Sequence, residues 1–241
     1  MDAEVFVVGS KSGDDEMSQL LRESFSRFRL LPFEKNMGYG RLVNAGLAKA
    51  GGDFLVILNS DMILKPDSLK KMVDYMSANP EIGILGPQLL NINETIQESC
   101  FAFHRPMTVV YRRTFLGKTK GGQKEIARFS MKDFDHRSAR EVDWMMGTAL
   151  MTRRQALEEV GPMDERFFMY FEDTDWCRRF WRAGWKVVYY PDAQMYHYHG
   201  RASKKSGGIT DIFFNKYTWI HIASALKYFS KYGWRAIDKK A

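Results

Sequence analysis

Three carboxylates, Glu172, Asp173 and Asp175, close an aromatic run that begins at Phe167 and lead into a helix that ends near Gly184. On such a helix Asp173 and Asp175 lie about 200° apart around the axis, so one can face a cleft while the other faces elsewhere. Only one of them can be a general base. A local reading also accounts for all three, because first-turn carboxylates cap free N–H groups and suit the positive end of the helix dipole. Two further groups have metal-binding chemistry. Asp61 ends the segment Asn59-Ser60-Asp61 directly after an apolar run, where ligands of open α/β sheets bind, although it could instead cap the turn before Pro66 and Asp67. His197 and His199 alternate with tyrosines, so at strand spacing they share one face, and one of them could join a metal.

The hydrophobic pattern supplies a frame for these groups. Residues 4–8 form a short β-branched strand ended by the turn at 9–14, with Asp14 or Asp15 as a helix cap. Met17, Leu20, Leu21 and Phe25 recur at helical spacing, and residues 29–33 form a second strand. Strand, helix, strand is the opening of a parallel sheet. Asn36, Gly38, Tyr39 and Gly40 then make a glycine-rich turn into a helix that runs to about Ala50, a loop that suits a nucleotide but is also common as plain structure. Gly51 and Gly52 stop that helix, and residues 53–58 are a buried strand leading to Asp61. Pro66 opens a helix to about Ala78, and residues 82–85 give another strand.

From residue 89 to about 140 the periodicity weakens around Arg112, Arg113 and the run from Gly117 to Gly122, which reads as loop and edge hairpin, either an ordinary solvated loop or a lid. Order returns at 141–151, followed by a short helix at 153–160 closed by Gly161 and Pro162. Residues 185–190 read as a strand, and residues 209–237 as a helix with Trp219, Ile222, Ala223, Leu226 and Phe229 on one side. That tail either packs on the domain or lies on a membrane.

With 241 residues, 45% of them hydrophobic, the chain can bury one full α/β core plus a C-terminal extension. No apolar run is long enough to span a bilayer and Met1-Asp2-Ala3-Glu4 lacks the features of a secretory signal, which places the protein in the cytoplasm or on the inner face of a membrane. Cys100 and Cys177 suit neither a disulfide framework nor a metal site. The net charge of +7 favours an anionic partner, but no nucleic-acid signature accompanies it.

Six ordered blocks resemble the inverting, metal-dependent nucleotide-sugar glycosyltransferases of family 2, particularly their rhamnosyltransferase-like branch. The blocks are Asn36-x-Gly38-Tyr39-Gly40 with Asn44; Leu58-Asn59-Ser60-Asp61; Gly147 with Arg153 and Arg154; the run from Gly161 to Phe168; Glu172-Asp173-x-Asp175; and Pro191 with His197. The resemblance implies a single Rossmann-like domain over residues 1–208, with a mostly parallel sheet. Its nucleotide-sugar half would span about 1–88 and its acceptor half about 89–208, followed by a basic amphipathic helix at 209–241. It also implies that Asp61 and His197 hold Mg²⁺ or Mn²⁺ against the donor diphosphate while Asp173 deprotonates the acceptor. Asn36, Gly38, Gly40, Arg41 and Asn59 would line the donor site, Trp144 and Gly147 would border the sugar, and Arg178 or Arg179 would approach the diphosphate. The implied partners are a nucleotide-sugar, with dTDP-rhamnose suggested by the branch, and a saccharide or lipid-linked acceptor.

The chain departs from the family at three places. It opens at what looks like the family's second strand, Gly9 and Ser10 stand where an aspartate and asparagine usually contact the nucleoside, and Asn59 replaces the first carboxylate of a double-aspartate motif. A sheet without its first strand must cover that edge by other means. The branch commonly accepts asparagine at the third place, and the first two departures support an alternative, a non-catalytic subunit that keeps the acceptor half of the site. A third reading, nucleic-acid binding, rests only on charge. The tail, with Trp219, Phe229, Trp234, Lys216, Lys227, Lys231, Arg235, Lys239 and Lys240, has the composition of a helix that binds an anionic bilayer.

Overall fold

The computed structural model describes residues 3–10, 16–198 and 216–233, so the expectations for Asp14, Asp15, His199, Trp234, Arg235, Lys239 and Lys240 lie outside the described residues. The first two apolar runs become strands β1 (Val5–Ser10) and β2 (Phe28–Phe33), which pair in parallel with helix α1 (Glu16–Ser24) between them in the chain. The glycine-rich turn feeds α2 (Tyr39–Leu47), and the next apolar run is β3 (Phe54–Leu58). A short strand, β4 (Met62–Leu64), precedes α3 (Ser68–Ala78), which starts two residues after Pro66 because Asp67 takes a left-handed conformation with φ of 61°. Strand β5 (Ile82–Leu90) is buried along its whole length, as a central strand with both faces covered must be.

The weakly patterned region holds two helices and a 3-10 turn between residues 106 and 129, which corrects the expectation of loop there, while a hairpin is present at its start, where residues 96–97 pair antiparallel with 89–90. Strands β6 (Ile96–Gln97) and β7 (Cys100–Phe101) lead to α4 (Pro106–Arg113), a 3-10 turn (Phe115–Lys118) and α5 (Lys120–Phe129). Thr114 and Thr119 begin the turn and α5 respectively, each accepting a backbone N–H through its hydroxyl, so this part of the chain is organised by caps that a search for apolar periodicity passes over. After β8 (Arg140–Glu141) and β9 (Trp144–Met145) come β10 (Ala149–Arg153), α6 (Arg154–Val160), α7 (Glu172–Ala183), β11 (Lys186–His197) and α8 (Lys216–Tyr232).

The central sheet has the order β3-β10-β5-β11-β4, with β6 and β8 on its margins. The expected α/β class holds, but the sheet is mixed rather than mostly parallel. Strand β10 runs antiparallel to both β3 and β5, β4 runs antiparallel to β11, and only β5 with β11 is a parallel pair. A strand's side-chain pattern is the same in either direction, so periodicity could not show that the long excursion after β5 returns reversed. The two expected halves also interleave, since β10 and β11 from the second alternate with β3, β5 and β4 from the first.

Alternation along the strands divides the core between the two faces of the sheet. On one face Met72 and Met76 of α3 meet Ile82, Leu85, Met151, Val188 and Met195. On the other, Trp176, Phe180 and Trp181 of α7 meet Ile57, Ile84, Leu150, Val187 and Tyr189. This second layer carries the carboxylate helix. Strand β11 extends past the predicted 185–190 because a register shift between Tyr190 and Gln194 absorbs the proline at 191, and so His197 reaches the sheet beside Met62.

Candidate active site

The chain enters α7 through two consecutive left-handed residues, Tyr170 and Phe171, each with φ of 68°. Non-glycine residues in that region cost about 1 kcal/mol or more apiece and need support from their surroundings. The support is visible. Phe167 and Phe171 are buried against Ala225 and Tyr228 of α8, and Ser224 Oγ donates to the Met169 carbonyl at 2.8 Å. The bend brings Glu172 and Asp173 to the start of the helix. Asp173 accepts from the Gly147 N–H at 3.1 Å and from the Thr174 N–H at 2.7 Å.

Helix α2 closes the site from the other side. Gly38 has φ of 89°, and a side chain there would lie 2.5 Å from the Phe168 carbonyl oxygen. Only glycine fits. The Tyr39 N–H donates to that same carbonyl at 2.9 Å, and the Tyr39 hydroxyl donates to the Gly147 carbonyl. Gly147 thus bridges Tyr39 and Asp173, and a Cβ on it would meet the Tyr39 ring at 3.0 Å. Tyr39 was absent from the residues expected in the site. Its signal was available, since it is the one large side chain between the two glycines of a turn already marked as a ligand loop.

Burial raises the pKa of Asp173, with the backbone donors opposing the shift. Glu172 is raised well above the ordinary carboxylate range by burial and then by the Asp173 charge, and its Oε2 is buried without a hydrogen-bond partner. The donors assign the charge to Asp173 and the proton to Glu172. Tyr39 is held neutral by burial and by these two carboxylates. Because Glu172 stays protonated in the folded state while an unfolded glutamate ionises near 4.5, it withdraws stability as pH rises above that value, until the folded group itself ionises. Glu172→Gln is expected to be more stable than the wild type at pH 8 and no more stable at pH 4. Urea denaturation at the two pH values measures the difference, and an equal effect at both would show that Glu172 does not hold a proton.

The predicted metal pair is brought together. His197 Nε2 lies 3.4 Å from Asp61 Oδ2, and its Nδ1 is 2.9 Å from Gln97 Oε1. An amide oxygen only accepts, so Nδ1 carries the hydrogen and Nε2 is the ring nitrogen on the Asp61 side. A carboxylate oxygen and an imidazole nitrogen are both ligand types that a divalent cation takes. No third His, Cys, Asp or Glu joins them among the described residues, so a divalent ion there would complete its shell with water or phosphate oxygens. The pair is also tied to the carboxylate helix. The Asn59 N–H donates to the Thr148 carbonyl at 2.9 Å, one residue from the Gly147 amide that holds Asp173.

Other expected residues serve different ends. Asp175 is fully buried and accepts from Arg179 at 3.0 Å, Lys231 at 2.6 Å and the Tyr232 hydroxyl at 2.6 Å, so it anchors α7 and is removed from the catalytic candidates. Arg179 also donates to the carbonyls of Val160, Gly161 and Pro162, which corrects its expected place at the diphosphate. Arg178 is buried against Tyr228 and Tyr232. Trp144 donates to the Ala102 carbonyl and stacks on Phe101 and His104, forming a wall behind the site. Asn36 caps the Gly38 N–H, and buried Asn44 clamps Met163 through both its amide atoms. Gly40 packs near Met163 and Glu172, whereas Arg41 pairs with Glu165 at 3.4 Å. Arg41 lines a cleft of about 650 Å³ along α2 with Phe33, Met37, Ala45 and Pro162, which contains neither Asp173 nor Asp61.

The tail's packing face is not the one predicted. Thr218, His221, Ser224, Ala225 and Tyr228 are buried, while Trp219 and Leu226 are 54% and 66% exposed. The small and polar residues face inward because they meet the polar carbonyls and crowded rings of the 167–171 bend, as with Ser224. His221 packs on Tyr170 and Phe171, and burial together with the Arg113 and Arg112 charges pushes its pKa down to about 4. An unfolded histidine binds its proton below 6.5, so this group withdraws stability as pH falls from 6.5 toward 4. The expected loss is about 3 kcal/mol across that window. His221→Phe should flatten the dependence in denaturation midpoints measured at pH 7 and pH 5, and an unchanged slope would remove His221 as its source.

A profile described as Glycosyltransferase like family 2 matches residues 1–207. The chain belongs to that family. It is 28% identical over 231 residues to the N-acetylglucosaminyl-diphospho-decaprenol L-rhamnosyltransferase of Mycobacterium tuberculosis, covering 90% of this chain and 74% of that protein. It is 24% identical over 231 residues to the rhamnosyltransferase WbbL of Escherichia coli K12, covering 90% and 80%. Among solved structures, the mannosyltransferase PcManGT of Pyrobaculum calidifontis, in complex with GDP-Man and Mn²⁺, aligns with a TM-score of 0.51 at 16% identity over 95% of this chain and 66% of its own. GalNAc-T7 with UDP, GalNAc and Mn²⁺ aligns with a TM-score of 0.58 at 16% identity over 80% and 36%. The structural likenesses establish a shared fold. No helix among the described residues is long and apolar enough to cross a membrane.

Proposed function

We propose that this family member is an inverting glycosyltransferase that moves a sugar from a nucleotide-diphosphate donor to a hydroxyl of a lipid-linked or polysaccharide acceptor. The observation that carries this reading is the Asp173 carboxylate, oriented by the Gly147 and Thr174 amides beside a protonated Glu172. A fixed carboxylate with a raised pKa is suited to take a proton from an acceptor hydroxyl as that oxygen attacks the sugar. Tyr39 and Gly147 hold it in place, and Glu172 keeps a second charge away. Asp61 and His197 would hold Mg²⁺ or Mn²⁺, which when bound would supply positive charge for the departing diphosphate. Asn36, Gly38, Gly40 and Asn59 are assigned to the donor side, and Trp144 to the wall beside the sugar. The rhamnosyltransferase relatives support rhamnose as the sugar and a diphospho-polyprenol saccharide as the acceptor. Purified protein with Mn²⁺ or Mg²⁺ is expected to release nucleotide from dTDP-rhamnose in the presence of such an acceptor. Silence with every common nucleotide-sugar, with and without glycolipid, would overturn the reading.

One observation favours a second reading, a binding subunit without catalysis. Strands β1 and β2 form a separate two-stranded sheet, so among the described residues the strand ladder from β3 does not continue into them. Calorimetry with nucleoside diphosphates separates the two readings: micromolar, metal-dependent binding excludes a role confined to the acceptor half.

A further inference from the structure

The stretch from Ser99 to Lys124 contains Arg105, Arg112, Arg113, Lys118, Lys120 and Lys124 and no aspartate or glutamate. Folding divides its residues between two faces. Inward, Thr108 is fully buried and Val109 packs against the cluster of Phe167, Phe171 and Tyr228, while Arg112, itself exposed, lays its guanidinium over the Phe129 ring. Outward, Met107 is 45%, Val110 37% and Phe115 72% exposed, and Phe115 is the most exposed large hydrophobic residue among those described. Around them Arg113, Lys118, Lys120 and Lys124 are exposed and make no ion pair among the described residues.

This surface is held in shape. Thr114 Oγ1 accepts from the Leu116 N–H and Thr119 Oγ1 donates to the Leu116 carbonyl at 2.7 Å, so the turn bearing Phe115 is capped at both ends. An aromatic side chain presented at the tip of a rigid turn, ringed by uncompensated cations, gains little from water. It suits the boundary between lipid headgroups and acyl chains. The outer face of α8 offers a contrast. Trp219 and Leu226 are exposed there, but Lys227 donates to the Arg166 carbonyl and Lys231 to Asp164 and Asp175, so those two cations are directed into the fold.

We propose that the surface formed by α4, the 3-10 turn and α5, with Phe115 at its tip, docks on an anionic phospholipid bilayer. The proposal rests on the reading of a lipid-linked acceptor, because Val109 on the inner side of α4 packs against the cluster that contains Phe171, the residue before Glu172. Docking there would put the membrane surface next to the acceptor side of the site. It also sets the membrane contact apart from the tail, for which the sequence left packing on the domain and binding to a membrane both open.

The test is co-sedimentation of the full chain with phosphatidylglycerol vesicles and with phosphatidylcholine vesicles at low salt. Wild-type protein is expected to sediment only with the anionic vesicles. Phe115→Ser and the double variant Lys118→Glu/Lys120→Glu should each lower the partition coefficient by about tenfold or more, since each basic residue near such a surface is worth about fivefold. Trp219→Ser/Leu226→Ser should leave it within twofold. The proposal falls if the wild type ignores anionic vesicles, or if the Phe115 and lysine variants bind as the wild type does. Nucleotide release from soluble donor, measured on the same preparations without vesicles, keeps the outcomes apart. Turnover without vesicle binding removes only the docking surface, and vesicle binding lost in the variants without any turnover removes only the enzymatic reading.

Discussion

Asp173→Asn is expected to lower turnover by about 10²-fold or more while leaving donor affinity within about twofold, because the change removes a proton acceptor and hardly alters shape. The Gly147 and Thr174 amides donate to different oxygens of Asp173, so the asparagine keeps one of the two bonds and turns its NH2 toward the other amide, at an expected local cost of about 1–3 kcal/mol that leaves the fold in place. Asp175→Asn should behave differently. Its carboxylate is fully buried between Arg179, Lys231 and Tyr232, and removing that charge leaves Arg179 without its carboxylate and Lys231 with Asp164 alone, at an expected cost of about 3 kcal/mol in stability. Steady-state rates at a temperature where all proteins remain folded, together with denaturant melts, separate the effects. Should Asp175→Asn reduce turnover more than Asp173→Asn does, the assignment of the helix face is wrong.

Asp61→Ala and His197→Ala are each expected to weaken nucleotide-sugar binding by tenfold or more, on the order of the losses seen when a metal ligand or its supporting shell is removed. The effect should appear only with Mn²⁺ or Mg²⁺ present. In chelator, both variants should bind the donor as weakly as the wild type does. Gln97→Leu offers a milder version of the same test, since it removes the acceptor that orients the imidazole without touching the carboxylate. Titration calorimetry with and without chelator reads all three. Equal losses in both conditions would mean that Asp61 and His197 support the fold or touch the nucleotide directly.

Much of this architecture was legible from local pattern. Residues 53–58 announced β3 because a short apolar run bounded by glycines and by Asn59 has few other uses, and Asp61, marked at its carboxyl end, lies 3.4 Å from His197, a pairing that only the family resemblance had suggested. The opposed directions of Asp173 and Asp175 also followed from helix geometry alone. Gln97 was not legible. It lies in a weakly patterned stretch and becomes relevant only because β6 folds onto β5 and puts its amide beside a histidine a hundred residues later.

Sequence by itself determined the order of the motifs, the α/β class, the family resemblance and the residue types available for acid–base and metal chemistry, because these depend on composition and on spacing within single elements. Tertiary structure decided how those side chains are used. Arg179 is four residues from Asp175, a spacing that cannot say whether its guanidinium reaches outward or turns to the carbonyls of 160–162. Trp219 and His221 sit on one helix, and only the crowded bend at Tyr170 and Phe171 selects the histidine for burial and leaves the tryptophan in solvent. The reversed direction of β10 is likewise invisible in its residues. Each of these choices depends on a surface built from distant parts of the chain, and burial and hydrogen bonding at that surface outweigh the preference of any one segment.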